Sequence, residues 1–470
     1  MNKQRLCPKV VFGALGMSVL TVSQVEARNA LPQKPNILFL FVDDLGYKDT
    51  GFTGSDFYET PVIDSLAHLS MVFNQEYACA GNSAPSRACL ISGQFTPRHG
   101  VFAVYSTKRG PADLMRLEPF PNKSQLSLDS YTIAEAMRDA GYRTGMVGKW
   151  HLGNERHGPA LQGFEYANEE RAQSAKAFAE NNDPKHMFAE IAWVEDFMEK
   201  AVRDKVPFFA FVSFHAVHTQ WQARDEYIQY FTNKEKGELH NQPVYAGMIK
   251  HMDDAIGQVL AKVRELGVSD DTIIIFTSDN GGVPSTSQAP LRGFKGCLYE
   301  GGIREPFYIH NPVFIKAGVT DQLAAHVDIF PTILDFAGGS VPADYKLDGV
   351  SLKPVLVGEK KKIRRPPLFW HFPGYLDMPC PGGRDSVFRQ RPSTVMRDGD
   401  WKITLFYEEW MLDGGWERRN ENNSIELYNI REDVSESHNL ATELPEKRDR
   451  LLRKMLKWIK ANNVQCPTVK

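Results

Sequence analysis

The sequence predicts an α/β fold: a large, mainly parallel (mixed) sheet sandwiched by helices, followed by a smaller C-terminal α+β subdomain. Strongly apolar runs recur along the first 310 residues, and amphipathic helical patterns lie between them. Apolar strands that alternate with helices are typical of a parallel sheet covered on both faces. After about residue 365 the strand patterns become shorter, and a single helical pattern closes the chain.

The first 27 residues have the pattern of a secretory signal peptide that is cleaved near Ala27. Lys3, Arg5 and Lys9 precede the apolar run "VVFGALGMSVLTV", and small residues follow it. This run is shorter than the roughly 20 residues of a spanning helix, and no later stretch is apolar enough to cross a membrane. We therefore expect an exported, periplasmic or secreted protein with no membrane span.

Within the α/β domain, which we place at 28–365, the apolar runs predict strands and the amphipathic runs predict helices. Thr132 and Gly141 bound one helical pattern, and a longer one ends at Gly267. The predicted strands are 36–42, 143–148, 207–214 and 272–278, and the predicted helices are 132–140 and 244–266.

The subdomain, which we place at 366–470, is predicted to be an antiparallel sheet with a C-terminal helix. "PPLFWHF", "STVMRDGDWKITLFYEE" and "SIELYNI" look like short strands with turns. The closing segment "PEKRDRLLRKMLKWIKANN" has Pro445 in its first turn and an apolar stripe along one face.

The composition of the chain argues against nucleic acid and zinc as binding partners. A formal net charge of −3 with no basic stripe argues against nucleic acid. The five cysteines left after cleavage are scattered without a CxxC pair, which disfavours a zinc site and allows at most two disulfides.

Acidic and amide side chains follow two of the predicted strands. Asp43 and Asp44 come directly after 36–42, while Asp279 and Asn280 come after 272–278. Ligands of open α/β sheets bind outside the carboxyl ends of the strands. This set offers only oxygen ligands, which suit calcium or magnesium better than zinc.

Basic side chains follow the other two strands. Lys149 and His151 come after 143–148, and an extended backbone would point both to one face and Trp150 to the other. His215 and His218 follow 207–214. A cationic side chain next to an imidazole is suited to binding an anion.

Ser83 lies where a helix is predicted to begin, just before Pro85. Free N–H groups and the helix dipole favour an anion there, and Arg87 lies about one turn further on. An ordinary N-cap is the alternative for Ser83. Together with the other strand ends, this pattern predicts transfer of a tetrahedral, anionic group such as phosphoryl or sulfuryl.

These motifs resemble those of the type I, formylglycine-dependent sulfatases of the alkaline phosphatase superfamily, in their serine-type bacterial form. "SAPSRACLISG" resembles the first signature of that family and "GYRTGMVGKWHLG" the second. "VDD", "SDNGG", "FHAVHTQ" and "LRGFKGCLYEGGIREP" resemble further family blocks in the right order. The resemblance extends from about residue 34 to the C-terminal helix. One departure is Gln220, where the family usually has proline.

The resemblance implies that Ser83 is oxidised to formylglycine by a radical sulfatase-maturating enzyme. It implies one calcium ion bound by Asp43, Asp44, Asp279, Asn280 and the modified Ser83. The resemblance also implies roles for the basic residues. Arg87 and Lys149 would hold the formylglycine hydroxyl and the sulfate, and His151 would assist loss of the second hydroxyl proton. His218 and Lys295 would bind sulfate and help protonate the leaving sugar oxygen.

The implied substrate is a sulfate ester of a sugar or glycan, here expected to be galactose or N-acetylgalactosamine 4-sulfate. The subdomain would supply selectivity, with His371 and Arg384 as candidate substrate-binding residues. A phosphomonoesterase or phosphodiesterase of the same superfamily is the competing enzyme, although such sites hold two transition metals with several histidine ligands. The non-enzyme alternative is an exported glycan-binding protein with an inactive site.

Overall fold

A computed structural model describes residues 34–168 and 183–470. The predicted signal peptide therefore lies outside the described residues. Among the residues described, no helix is both long and apolar enough to cross a membrane.

An eight-stranded mixed sheet forms the main body, with strand order β10-β2-β9-β8-β1-β7-β5-β6. Its central strands β8, β1, β7 and β5 are mutually parallel, whereas β9 runs antiparallel to both of its neighbours. The strands are β1 Asn36–Val42, β2 Met71–Phe73, β3 Glu76–Tyr77, β4 Leu117–Glu118, β5 Arg143–Gly148, β6 Tyr166–Asn168, β7 Phe208–Ser213, β8 Thr272–Ser278, β9 Tyr308–His310, β10 Gly318–Thr320, β11 Ala324–Ala325, β12 Leu368–Phe372, β13 Ser393–Asp398, β14 Trp401–Phe406, β15 Ile425–Asn429 and β16 Thr468–Val469.

Helices cover both faces of this sheet, so its central strands are buried along almost their whole length and are rich in apolar residues. Along β1, Leu38 and Leu40 pack into one core, while Phe39 and Phe41 pack into the core on the other face. The helices are α1 Pro61–His68, α2 Ser83–Ser92, α3 Thr96–His99, α4 Ile133–Asp139, α5 Met187–Arg203, α6 Asp225–Asn233, α7 Pro243–Glu265, α8 Glu300–Ile303, α9 His326–Ala337, α10 Lys353–Leu356, α11 Tyr407–Leu412 and α12 Pro445–Ala461.

The C-terminal part forms a separate four-stranded antiparallel sheet in the order β12-β13-β14-β15. Helix α12 packs on it through Leu451, Leu452 and Met455, which are buried. The predicted fold class, a large mixed sheet between helices with a smaller antiparallel sheet and a terminal helix, is confirmed. The predicted main strands and helices agree with the observed ones to within a residue at each end.

Candidate active site

Four neighbouring strands deliver polar residues to one edge of the large sheet. Because β8, β1, β7 and β5 are adjacent and parallel, their carboxyl ends meet at the same edge. The residues that follow these strands lie side by side although more than two hundred positions separate some of them in the chain. The site is built at this edge.

A buried group of carboxylates occupies the middle of the edge. Asp43, Asp44 and Asp279 each offer an oxygen, and these oxygens lie within 4.8 Å of one another. All three residues are at most 1% exposed. Hydrogen bonds hold the group together: the Asp44 N–H donates to Asp279 Oδ1 at 3.1 Å, and Asn280 Nδ2 donates to Asp44 Oδ1 at 2.8 Å.

The protein stabilises the charged forms of these acids to different degrees. Burial opposes ionisation of Asp43, but Lys149 and Arg87 hold the pKa of its carboxyl well below the usual range. Burial and the charge of Asp43 raise the pKa of Asp279 to about 7. A hard divalent cation among these oxygens would stabilise all three ionised carboxylates, so the donor set fits calcium or magnesium.

Ser83 is the first residue of α2 and points into this acid group. Its hydroxyl lies 3.2 Å from Asp43 Oδ1 and 3.1 Å from Asn280 Oδ1, and it is 1% exposed. The helix N-cap position belongs to Asn82, and no side chain caps the helix there. Ser83 is therefore directed at the strand ends and does not serve as a cap.

Arg87 lies one turn after Ser83 and is almost fully buried. Its Nε and Nη2 atoms both lie 2.9 Å from Asp279 Oδ2. Nη1 donates to the Lys149 carbonyl at 3.0 Å, and the guanidinium stacks on the Phe41 ring at 4.9 Å. Arg87 thus fixes an acid of the group and the loop after β5 at the same time.

Two lysines contact the other two acids. Lys149 forms a short ion pair with Asp43, and Lys295 Nζ lies 2.6 Å from Asp44 Oδ2. Burial lowers the pKa of Lys149, with Asp43 opposing that effect. Burial also disfavours the charged form of Lys295, but Asp44 and Asp43 outweigh it and raise the pKa of this lysine.

His151 reaches the site with a backbone that differs from the expected one. Its φ of 61° is left-handed, so the segment 149–151 is not extended. Trp150 is buried as expected, and its indole N–H donates to the His157 carbonyl at 2.8 Å. Burial, with Lys149 and Arg87 nearby, lowers the pKa of His151 to about 3, so its imidazole is neutral.

The two histidines after β7 have different surroundings. His218 is 38% exposed on its side chain, and its Nε2 lies 3.7 Å from Asp44 Oδ2. His215 is more deeply buried, and its Nδ1 lies 2.9 Å from Glu190 Oε1. His218 is accordingly the one that borders both the acid group and solvent.

Comparison with known proteins agrees with this arrangement. Residues 35–340, which include every strand end described above, match the family described as Sulfatase. The chain belongs to the sulfatase family. It is a sulfuric ester hydrolase, and residues 294–464 also match the family described as N-sulphoglucosamine sulphohydrolase, C-terminal.

Individual relatives are similar to this sulfatase over most of its length. A protein named sulfatase from Formosa agariphila is 30% identical, over 97% of this chain and 93% of that protein. N-acetylgalactosamine-6-sulfatase from Mus musculus is 29% identical, over 72% and 69% of the two chains. Among solved structures, Ps i-CgsB in complex with k-i-k-neocarrahexaose has a TM-score of 0.73 and 27% identity, covering 90% of this chain and 92% of that one.

The two residues expected to bind substrate have other partners in the sulfatase. His371 is 4% exposed, and its two ring nitrogens lie 2.8 Å from Thr394 Oγ1 and from the Gln465 carbonyl. Arg384 is paired with Glu409 at 2.9 Å and with Glu426 at 3.4 Å. Both side chains stabilise the subdomain itself, and the sequence could not reveal this because their partners come from distant segments.

Sequence reasoning also missed residues that support the site. Ser213, the last residue of β7, accepts from Arg87 Nη1 at 2.5 Å and donates to the Lys149 carbonyl at 2.7 Å. A Cβ on Gly281 would lie 2.2 Å from the Gly301 carbonyl, so the chain after Asn280 must pass very close to the one after Tyr299. Paired glycines at 281–282 and 301–302 were the available signal for this close approach.

The cysteines form no disulfide among the described residues, and all five there are free thiols.

Proposed function

We propose that this sulfatase removes O-sulfate from a sulfated sugar or glycan, using a formylglycine made from Ser83 and one bound calcium ion. The observation that carries the proposal is the position of Ser83 at the centre of the acid group, with its hydroxyl between Asp43 and Asn280. The carboxylate beside this hydroxyl belongs to Asp43, whose pKa is held well below the usual range, so it is a weak base for activating a serine as a nucleophile. Oxidation of Ser83 would remove two hydrogen atoms and leave an aldehyde, and its hydrate would supply the attacking hydroxyl and a second hydroxyl for sulfate release.

Asp43, Asp44, Asp279, Asn280 and the modified Ser83 would hold the calcium ion. When bound, such a cation lowers the pKa of a coordinated hydroxyl and stabilises negative charge. The all-oxygen donor set and the raised pKa of Asp279, which a nearby cation would lower, support this assignment.

The basic residues around the acid group would orient the sulfate ester. Arg87 and Lys149 lie beside Asp279 and Asp43 and would hold the formylglycine hydroxyl and the sulfate. The neutral imidazole of His151 can accept a proton, as the loss of the second hydroxyl proton requires.

On the opposite side, Lys295 and the partly exposed His218 lie beside Asp44. Both can donate hydrogen bonds to sulfate, and they can help to protonate the leaving sugar oxygen. Protonation matters because an alkoxide is a poor leaving group.

For the substrate, we propose a sulfated galactose or N-acetylgalactosamine. The named activity of the N-acetylgalactosamine-6-sulfatase relative supports this sugar class. For the position of the sulfate on the sugar, we propose the 4-sulfate that the sequence analysis predicts. Activity measured on a panel of 4-sulfated and 6-sulfated sugars tests this directly.

We further propose export of the protein after cleavage near Ala27 and maturation by a radical sulfatase-maturating enzyme. Co-expression with and without such an enzyme separates the two forms of the protein. In the matured form, mass spectrometry of the peptide that carries Ser83 should find it lighter by a pair of hydrogen atoms.

The deciding experiment measures sulfate and phosphate release side by side. Matured wild-type protein should release sulfate from the sugar panel, and Ser83→Ala should reduce the rate by about 10⁴-fold or more while its thermal unfolding is unchanged. Calcium should raise the melting temperature of wild type, but not that of Asp44→Asn. Dominant phosphate release, or near-normal activity of Ser83→Ala, would contradict the proposal.

A further inference from the structure

The turn 183–186 lies beside the active site although no motif marks it. Helix α5 follows this turn and leads into β7, packing on β5 and β7. A crossover helix runs antiparallel to the strand that it precedes, so the start of α5 lies at the carboxyl edge of the sheet. This is the edge where Lys149 and His215 emerge.

Two sets of polar contacts hold the turn in place. Asp183 accepts hydrogen bonds from the N–H groups of Phe188 and Ala189 at 3.1 and 3.0 Å, and it lies 3.1 Å from His251 Nε2 of α7. One turn into α5, Glu190 contacts His215 at 2.9 Å. The turn is therefore fixed to the α7 layer on one side and to the active-site edge on the other.

Between these anchors, Lys185 is a largely buried lysine that has no polar partner among the described residues. It is 7% exposed, and within the two described ranges, 34–168 and 183–470, its ammonium makes no hydrogen bond or ion pair. Its backbone is left-handed, with a φ of 67°. A left-handed backbone at a non-glycine residue costs stability, and a largely buried side chain whose ammonium has no acid beside it is available to an anionic ligand.

The surroundings of Lys185 differ from those of the other two active-site lysines. Lys149 and Lys295 each have an acid in direct contact, whereas Lys185 has none. Burial lowers the pKa of Lys185, while Asp43 raises it and Lys149 lowers it further. Lys185 therefore interacts electrostatically with Asp43 and Lys149 but is not part of the ion pairs of the site.

From this placement we infer that Lys185 binds a second anionic group of the substrate, next to the sulfate ester that is cleaved. The inference rests on the proposed function, since the cleaved ester itself is assigned to the residues around Ser83. It narrows the substrate to a sugar with two anionic substituents. A second sulfate and a carboxylate share the required chemistry, because either can accept charge-assisted hydrogen bonds from an ammonium.

The test compares substrates that differ in one anionic group. Matured wild type, Lys185→Gln and Lys185→Arg are assayed on a monosulfated sugar, on its disulfated form, and on the monosulfated sugar linked to a uronic acid. Lys205→Gln is the matched control, because Lys205 is also left-handed, with a φ of 55°, but is exposed at the far end of α5.

For Lys185→Gln we expect kcat/KM to fall by about 10- to 100-fold more on a dianionic substrate than on the monosulfated sugar. The loss should come mainly through KM, Lys185→Arg should retain most of the preference, and Lys205→Gln should match wild type. A larger fall on the disulfated sugar would identify the second anionic group as a sulfate, and a larger fall on the uronic acid conjugate would identify it as a carboxylate. Thermal unfolding of Lys185→Gln should occur no lower than that of wild type, because the change removes no hydrogen bond or ion pair among the described residues.

Equal losses on all three sugars, or no loss on any, would overturn the inference while leaving the sulfatase assignment intact. If Lys185→Gln does not fold, the comparison of Lys185→Arg with Lys185→Met takes its place with the same criteria. If matured wild type releases sulfate from none of the sugars, the proposed function itself fails.

Discussion

At the scale of single residues, the active site matches each buried acid with its own cation. Asp43 contacts Lys149, Asp44 contacts Lys295, and Asp279 contacts Arg87. Of these cations, only the arginine makes several directed hydrogen bonds at once. A planar guanidinium can serve several acceptors with fixed geometry, which an ammonium cannot do.

Arg87→Lys tests whether this geometry matters beyond the charge. The lysine keeps the charge but cannot reach Asp279, Ser213 and the Lys149 carbonyl together. We expect kcat/KM for the sulfate ester to fall by about 100-fold or more, and the free energy of unfolding to fall by about 3 kcal/mol.

Both quantities are measurable on matured protein by initial rates and by urea unfolding. Arg138→Lys is the control, because the side chain of Arg138 is 45% exposed and should tolerate the change. Unchanged stability and activity in Arg87→Lys would mean that the charge alone suffices.

Residues that follow long apolar strands could be predicted from the strand pattern, whereas Ser83, Arg87 and Lys295 were predicted from motifs that resemble those of a known family. Asp43 and Asp279 were found because a parallel sheet brings its strand ends together. Lys185 has no such signal, since its position depends on a turn anchored by Asp183. His371 was misplaced because a histidine in a strand looks the same whether its ring faces a ligand or a neighbouring segment.

At the scale of elements, β12 is tied to the C-terminal tail through His371. One ring nitrogen lies 2.8 Å from Thr394 of β13, and the other lies 2.8 Å from the Gln465 carbonyl, beyond α12. Burial lowers the pKa of His371 to about 4, whereas an unfolded chain has a histidine pKa of about 6.5. The folded protein therefore keeps this ring neutral.

His371→Gln should destabilise the fold without affecting substrate binding. At pH 7 we expect a loss of about 2 kcal/mol in the free energy of unfolding, because a buried donor and acceptor lose their partners. KM for the sulfate ester should stay within about twofold of the wild-type value. A raised KM with an unchanged free energy of unfolding would mean that His371 binds substrate after all.

The destabilisation should also depend on pH. A neutral buried histidine stabilises the fold fully above its unfolded pKa, and that contribution is lost as the pH falls from about 6.5 towards 4. The difference between wild type and His371→Gln should therefore shrink by about 2 kcal/mol between pH 7 and pH 5. His438→Gln is the control, since His438 is 64% exposed on its side chain.

Element length decided which strands could be predicted. The buried runs of β1, β5, β7 and β8 are six or seven residues long and agree closely with the structure. Strands such as β3 and β11 have two residues each, which is too short to show any periodicity. They form because neighbouring segments offer partners, and this information is not local.

At the scale of the whole molecule, the main body and the C-terminal subdomain share a hydrophobic core. The Phe369 ring of β12 stacks on the Trp458 ring of α12 with centroids 4.0 Å apart, and Phe95 of the main body packs against both rings. A buried ion pair also joins the subdomain to the main body, since Lys402 Nζ of β14 lies 3.1 Å from Glu300 Oε1 of α8. These contacts make each part depend on the other.

We therefore expect the mature chain to unfold as one cooperative unit, with the boundary near residue 365 marking a change of sheet and not an independently folding domain. Urea transitions followed by far-UV circular dichroism and by tryptophan fluorescence should coincide. A chain ending at residue 365 should show no cooperative transition, because it exposes the face of the main body that Phe369 and Trp458 cover.

The matched control is a chain ending at Cys466, which loses only the last four residues, including the exposed strand β16, and should keep the transition. Removal of α12 would take away the buried side chains of Leu451, Leu452 and Met455, each worth about 1.5–3 kcal/mol. That sum is comparable with the total stability of a typical protein, about 5–15 kcal/mol. Two separate transitions in the full chain, or a stable fold for the chain ending at residue 365, would mean that the shared core contributes little to holding the sheets together.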